Sequence, residues 1–251
     1  MAISINNVYQ KVLALANKEQ RGYITPQEFN LFADQAQMEI FEQYFYDIDQ
    51  HRRRQNNNHA YSDILSNLEG KVSHFKRYDE NVSSRLNQDG DVNLDNNKVY
   101  RLGMLRVRPK AGEKLYIAEE MKMEEEFFLY ESSPLAKHSI KRPVYWKRKS
   151  NANETGEEGI KIRIYPKPEE QSRAVLLSYI KTPSKPTWGY EIVSEKALYK
   201  SDNSNDFELH ASEESELVYR ILALAGLAIQ KPELTQTAAA LEGAKVQQEK
   251  Q

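Results

Sequence analysis

The chain has 251 residues, of which 39% are hydrophobic and 29% charged, with a formal net charge of −2 and no cysteine. This length allows one large domain or two small ones, and the charge balance argues against bulk attraction to nucleic acid. Without cysteine the chain has neither disulfides nor thiolate chemistry, as is typical of a protein that does not rely on an oxidising compartment.

The first third of the chain has the periodicity of helices. Val8, Val12 and Leu15 recur at helical spacing, and a longer, aromatic-rich stripe runs from Phe29 to Tyr44. A stripe this wide predicts burial on more than one side, by its own bundle or by a neighbouring subunit. No basic region followed by an apolar run opens the sequence, so no signal peptide is predicted.

The segment ANKEQRGYITPQEF has two interpretations. Laid on an EF-hand loop that starts at residue 17, Gly22 and Glu28 fall at positions 6 and 12. However, Arg21 then occupies a ligand position, where a guanidinium has no lone pair to offer and repels the ion. The second interpretation, a helix cap, needs no unusual residue at any position, because Thr25 and Glu28 form a capping box and Gly22 ends the preceding helix. We therefore predict a cap and no calcium binding.

The following segment is polar and more ambiguous. Residues 49–63 predict a polar helix end or loop, and residues 62–70 predict a short helix capped by Ser62 and closed by Gly70. Residues 71–97 are turn-rich and predict no definite element.

The middle third changes to the period of strands. Its short β-branched and aromatic segments, each bounded by turn residues, are 97–109, 113–121, 142–150, 159–168 and 174–183. Within GIKIRIYP, isoleucines alternate with polar residues, which is typical of a strand with one solvent-exposed face. Residues 119–130 predict a helix because acidic residues crowd their start. The pattern indicates a small antiparallel β domain, or a sheet with a helix inserted.

The final third returns to helix. Ser212 is a candidate cap, and Leu217, Ile221 and Leu224 share one apolar face beside a second apolar face. Residues 232–251 follow a Lys-Pro break and are alanine-rich, with few large side chains, so they predict a helix that is marginal alone. We expect it to dock on a partner or to order on binding, and deletion of 232–251 to abolish docking while the monomer stays folded.

No catalytic constellation is evident in the sequence. The five histidines include no pair at metal-ligand spacing, the acidic clusters resemble solvated faces, and no glycine-rich phosphate loop occurs. The longest apolar run, residues 221–229, is far shorter than the roughly 20 residues that cross a bilayer. We predict no enzyme, no catalytic residue, no metal, no cofactor and no membrane partner.

Two basic stretches are candidates for contact with DNA. Arg52, Arg53 and Arg54 form one, and RPVYWKRKS forms the other, with Tyr145 and Trp146 available for stacking. The alternative is a solvated helix end and a strand edge guarded by cations. A single short patch on an acidic chain is a thin electrostatic footprint, so a nucleic-acid-binding protein is the second hypothesis.

These patterns together predict an α+β fold: a helical bundle built from N- and C-terminal helices with a central small antiparallel β domain. The predicted divisions are a helical region at 1–90, a β-rich domain with an inserted helix at 91–206, and C-terminal helices at 207–251 that pack on the N-terminal region or on partners. The apolar residues predicted to form a subunit or partner interface are Phe29, Phe32, Leu217, Ile221, Leu224, Leu234 and Leu241.

The order of these elements resembles the head–tail connector proteins, adaptor or ring, of short-tailed bacteriophages, particularly crAss-like phages. The most specific phrases are GYITPQEF at residues 22–29 and ELHASEESELVYRILALAG at residues 208–226. The resemblance spans nearly the whole chain but includes no diagnostic motif.

The resemblance implies a virion structural protein that assembles in the host cytoplasm. It implies a homo-oligomeric ring, typically of twelve copies, below the portal, with a passage for DNA in packaging and ejection. The implied partners are further copies, the portal protein, a further tail or ring protein and, non-specifically, DNA. Which layer of the connector it forms stays open, and a lower tail ring is an alternative.

Overall fold

The structure is a computed structural model, and the chain divides into two compact units. Unit 1 comprises residues 1–74 and 183–251, and unit 2 comprises residues 75–182. The residues that the structure describes are 3–17, 24–53, 59–87, 89–95, 98–108, 112, 114–135, 137–150, 159–168, 174–194, 196–228 and 240.

The helices are α1 Ile5–Asn17, α2 Pro26–Arg53, α3 His59–Ser73, α4 Glu124–Ser132 and α5 Glu214–Ala228. The strands are β1 Lys76–Asn81, β2 Asp91–Asp95, β3 Val99–Arg108, β4 Tyr116–Met121, β5 Val144–Ser150, β6 Gly159–Tyr165, β7 Ala174–Lys181, β8 Tyr190–Val193 and β9 Lys196–Tyr199.

Unit 1 packs helices α1, α2, α3 and α5 together with the hairpin β8–β9. Helix α2 contacts α3 and α5, and α1 contacts α5. Leu217 and Ile221 of α5 and Phe29 of α2 are all fully buried. The two apolar faces of α5 are therefore covered by different helices, as its composition requires.

The start of α2 confirms the predicted cap. Glu28 N–H donates to Thr25 Oγ1 at 3.3 Å, and Thr25 N–H donates back to the Glu28 carboxylate at 2.9 Å. This reciprocal pair satisfies two backbone donors that a helix N-terminus leaves open. These bonds hold the pKa of Glu28 below its ordinary value. The rest of the proposed calcium loop, residues 18–23, lies outside the described residues.

Unit 2 is built on a seven-stranded sheet in the order β1-β7-β3-β4-β5-β6-β2. All neighbours are antiparallel except β4 and β5, which are parallel. One face of the sheet buries the main core, which includes Leu105, Ile162, Ile164 and Leu177. The opposite face is called the outer face below.

The predicted fold was wrong in its architecture. The structure is α+β, but its sheet is large and mixed, and the helices are not a terminal bundle around a small antiparallel domain. The physical reason is the parallel pair β4–β5, which requires a crossover connection, and α4 lies in that crossover. In addition, β8 and β9 pair with each other within unit 1 and take no part in the large sheet.

Three element boundaries also differ from the prediction. Residues 119–121 belong to β4, so the helix predicted for 119–130 begins only at Glu124. Ser62 and Gly70 lie inside α3, which begins and ends beyond both. Ser212 lies in a short 3₁₀ turn capped by His210, after which α5 begins.

The ends of unit 2 meet. Lys181 N–H donates to the Phe75 carbonyl at 2.8 Å, which joins the residue before β1 to the last residue of β7. In the described part of the chain, no helix combines the length and apolar character needed to cross a membrane.

Candidate interaction surfaces

Helix α4 is anchored on the outer face of the sheet by one side chain. Among the apolar residues of α4, Phe127 is the buried one, with 3% of its surface exposed. Its ring lies 4.5 Å from that of Trp146 on β5 and 4.4 Å from that of Tyr165 on β6, measured between centroids. Met121 and Val144 complete this small cluster. The packing of Phe127 in this cluster therefore holds α4 over the parallel strand pair.

The turn after α4 adds His138 to the same cluster. Its ring stacks on Phe127 with centroids 5.4 Å apart. Burial lowers the pKa of His138, although the charge of Glu131 acts in the opposite direction. Among the residues that the structure describes, neither the buried Nδ1 of His138 nor the buried Nε1 of Trp146 has a hydrogen-bond partner. The cluster is thus held by ring packing and apolar burial.

The solvent side of α4 and the adjoining loops is apolar. Phe128 is 61% exposed, Leu129 70% and Leu135 95%, and Met123 and Ile140 are also exposed. Apolar side chains exposed together on one helix and its flanking segments are more than the single exposed residues that are normal on a protein surface. Such a surface is typical of a protein–protein contact site.

Acidic residues accompany this apolar side. Glu125, Glu126 and Glu131 are exposed, and α4 contains no lysine or arginine. We call the five apolar residues and these three glutamates the α4 surface.

A second surface lies on the outer face of the same sheet, on β3 and β4. Strand pairing places Arg101 beside Ile180 and Arg106 beside Ile117, on the face opposite the main core. Ile117 is 63% exposed and Met104 49%. We call Arg101, Met104, Arg106 and Ile117 the arginine strip.

Unit 1 has its own exposed apolar element, the hairpin β8–β9. Ile192, Val193 and Leu198 are exposed on it. The base of the hairpin is fixed because Trp188, which is buried, stacks on Tyr190 and contacts Tyr199.

The basic stretch at residues 142–150 does not offer its aromatic rings for stacking. Tyr145 and Trp146 are 3% and 4% exposed, so the predicted stacking role was wrong. Lys147 Nζ lies 2.7 Å from the Glu120 carboxylate, and Tyr145 OH donates to that carboxylate at 3.4 Å. Burial, followed by the charge of Glu120, raises the pKa of Tyr145 to about 12.

A buried carboxylate organises the cations of β6. Asp91 of β2 is fully buried, and Arg163 donates to it from Nε at 2.6 Å and from Nη2 at 2.9 Å. Lys161 Nζ lies 2.7 Å from the same carboxylate. Burial by itself raises the pKa of Asp91, but the hydrogen bonds from Arg163 and Lys161 outweigh it and keep this pKa below its ordinary value. We call these three residues the Asp91 triad.

Three of the seven residues predicted from sequence to form an interface lie in the core of unit 1. Phe29, Leu217 and Ile221 are 0% exposed, so they belong to the core and present no surface to another molecule. Phe32 and Leu224 are half-buried. Leu234 and Leu241 lie outside the described residues.

Of the three predicted DNA-facing arginines, the structure describes the side chain of Arg53 alone. Arg53 is exposed at the last position of α2. Arg52 is helical but its side chain is outside what the structure describes, and Arg54 lies outside it altogether.

A cleft of about 620 Å³ lies between α3 and the turn before α5. His210 and Ser212 line it, but their polar atoms serve the helix start, since Ser212 N–H donates to His210 Nδ1 at 3.3 Å. Lys71 on the same wall pairs with Glu213 at 2.6 Å. Among the residues that the structure describes, no group of three or more histidine, aspartate or glutamate side chains is placed to hold a metal ion.

The described chain is thus an α+β protein with a helical unit and a mixed-sheet unit, and its most distinctive features are exposed apolar surfaces on rigid supports. No known protein-family model matches the chain, and comparison with curated proteins gave no match either.

Proposed function

We propose that the chain is a structural subunit of the head–tail connector of a short-tailed bacteriophage, forming a homo-oligomeric ring below the portal around the path of the DNA. In this proposal the protein is non-enzymatic and functions in the virion. The sequence resemblance gives the class, and the α4 surface is the structural observation that supports it.

The α4 surface supports assembly because its apolar side chains are exposed on the described part of unit 2. Phe128 and Leu129 are exposed on α4, which Phe127 anchors on the sheet, and Leu135 is exposed in the turn that follows. A rigid, exposed apolar surface gains free energy when a second molecule covers it. A ring requires two different surfaces on each copy, because each subunit meets its two neighbours differently.

The proposal also locates the assembly contacts differently from the sequence-based expectation. The wide apolar stripes of α2 and α5 are consumed by the core of unit 1. Contacts between copies therefore use side chains outside that core, such as those of α4 and of the hairpin β8–β9.

The test is the assembly state of the purified full-length chain, alone and with a candidate portal protein. Mass photometry and negative-stain electron microscopy should show closed rings, or rings that form on the portal. A chain that stays monomeric over a wide concentration range and in the presence of portals would refute the proposal. Tight, steeply salt-dependent binding of the monomer to DNA would instead indicate the nucleic-acid-binding hypothesis.

A further inference from the structure

We infer that the α4 surface of one copy docks on the arginine strip of a second copy, so that unit 2 supplies both halves of the contact between neighbours. This inference rests on the proposed function, because it assigns the surfaces through which the ring subunits would meet.

The two surfaces are complementary in charge. Exposed Glu125, Glu126 and Glu131 accompany α4, while Arg101 and Arg106 occupy the strip, where Arg106 also pairs with Asp79 of its own chain. Arginine pairs with carboxylates through two parallel hydrogen bonds, which gives geometric specificity in addition to attraction. Opposite charges on the two surfaces also steer encounter and exclude contact between like surfaces.

The two surfaces also match in apolar content. Phe128 and Leu129 on one side, and Met104 and Ile117 on the other, are each between 49% and 70% exposed. Apolar residues bordered by charged ones are the usual arrangement of a specific interface.

A second copy is the occupant that accounts for both surfaces together. Unit 2 carries both the exposed glutamates of α4, with exposed Lys122, Lys137 and Lys141 in the flanking segments, and the arginines of the strip, so each copy has both halves of the contact. Two different surfaces that pair head to tail make a heterologous contact, and contacts of this kind generate rings when the rotation between copies closes.

The test uses two double variants that change exposed residues only. One is Glu125→Arg with Leu129→Arg on the α4 surface, and the other is Arg101→Glu with Met104→Glu on the arginine strip. Each should weaken self-association of the full chain by at least about 100-fold, since each introduces like charges and removes an apolar contact. An equimolar mixture should associate, because the intact arginine strip of the first variant meets the intact α4 surface of the second.

The matched control is Leu31→Arg on α2, where Leu31 is 63% exposed in unit 1. It should assemble like the wild type. Circular dichroism and analytical ultracentrifugation establish that every variant is folded and give its association state.

The outcomes separate the two proposals. If the wild type assembles and both double variants assemble equally well, the inference is overturned while the ring proposal stands. If both variants are monomeric and folded but their mixture does not pair, the inference is also overturned, because the surfaces are then not each other's partners. If the wild type itself never assembles, alone or on portals, the proposed function fails first.

Discussion

Replacing Asp91 with Asn should destabilise unit 2 strongly, because it leaves two cations beside a neutral group. The change keeps the shape of the side chain and removes its charge. Removing one partner of a buried ion pair costs about 3–5 kcal/mol. Arg163 and Lys161 keep 24% and 30% of their side-chain surface exposed, so water recovers part of that loss. We expect a loss of about 2–3 kcal/mol, and hence a fall of about 1 M in the urea midpoint.

Fluorine NMR of protein labelled with 5-fluorotryptophan is the suitable assay. The chain has two tryptophans, Trp146 in unit 2 and Trp188 in unit 1, so one resonance reports each unit. The Trp146 resonance should show the lower urea midpoint. A matched control is Asp79→Asn, since Asp79 pairs with Arg106 but keeps 48% of its side chain exposed. Exposed pairs contribute about 0–1 kcal/mol, so this control should hardly change the midpoint.

The difference between wild type and Asp91→Asn should depend on pH. The pKa of Asp91 is lower in the folded protein than in the unfolded chain, so its contribution is complete above the unfolded pKa of about 4 and is lost as the pH falls through the folded pKa. The difference should therefore be constant from pH 7 to pH 5 and shrink below about pH 4. A midpoint equal to that of wild type at pH 7, or a difference that does not shrink in acid, would refute the reasoning.

Three further substitutions test other parts of the fold. Phe127→Ala should cost about 3 kcal/mol and release α4, which acrylamide quenching would detect as exposure of Trp146. Thr25→Ala should destabilise unit 1 by about 1 kcal/mol in urea unfolding, because the capping box loses its hydroxyl. Gly103→Ala should destabilise unit 2, because a Cβ there meets a backbone oxygen at 2.8 Å, whereas Gly70→Ala should stabilise α3 by about 0.5–1 kcal/mol, since nothing lies within 4 Å.

Each of these predictions has a result that contradicts it. Unchanged quenching in Phe127→Ala would mean that α4 is held by contacts other than those of Phe127. Phe128→Ala, which changes the exposed neighbour, is the control. A Thr25→Ala midpoint equal to that of wild type would remove the energetic role of the cap. A Gly103→Ala protein at least as stable as Gly70→Ala would contradict the close approach of β3 to β7.

The inner strands of the sheet were predictable, and its edges were not. Strands β3, β5, β6 and β7 come from segments with the period and composition of buried or half-buried strands. Strands β1 and β2 lie at the two ends of the sheet, and their sequences KRYDEN and DVNLD are largely polar. Polar edge strands suit a chain that must avoid pairing with others. The same polarity conceals them from a search for apolar periodicity.

The candidate site was missed for a related reason. Strong apolar stripes on α2 and α5 predicted an interface, but such stripes are also what a core is made of, and Phe29, Leu217 and Ile221 are core residues. A better signal for an exposed apolar surface is a run of consecutive apolar residues in a helix, rather than a stripe at helical spacing. In EEEFFLYES the apolar residues are consecutive, so a helix cannot bury them all on one face, and only Phe127 is buried. The side chains on which α4 packs come from strands that are brought together by pairing between segments distant in sequence. Periodicity alone does not predict that pairing.

The hydrogen bond from Lys181 to Phe75 closes unit 2 at its base, so the chain leaves this unit almost where it entered. A unit with coincident entry and exit can be gained, lost or exchanged in a single recombination event, because the host segments on either side need no new bridge. The unit with the seven-stranded sheet thus has the chain geometry of an inserted domain, whose sequence can change independently of the segments before and after it.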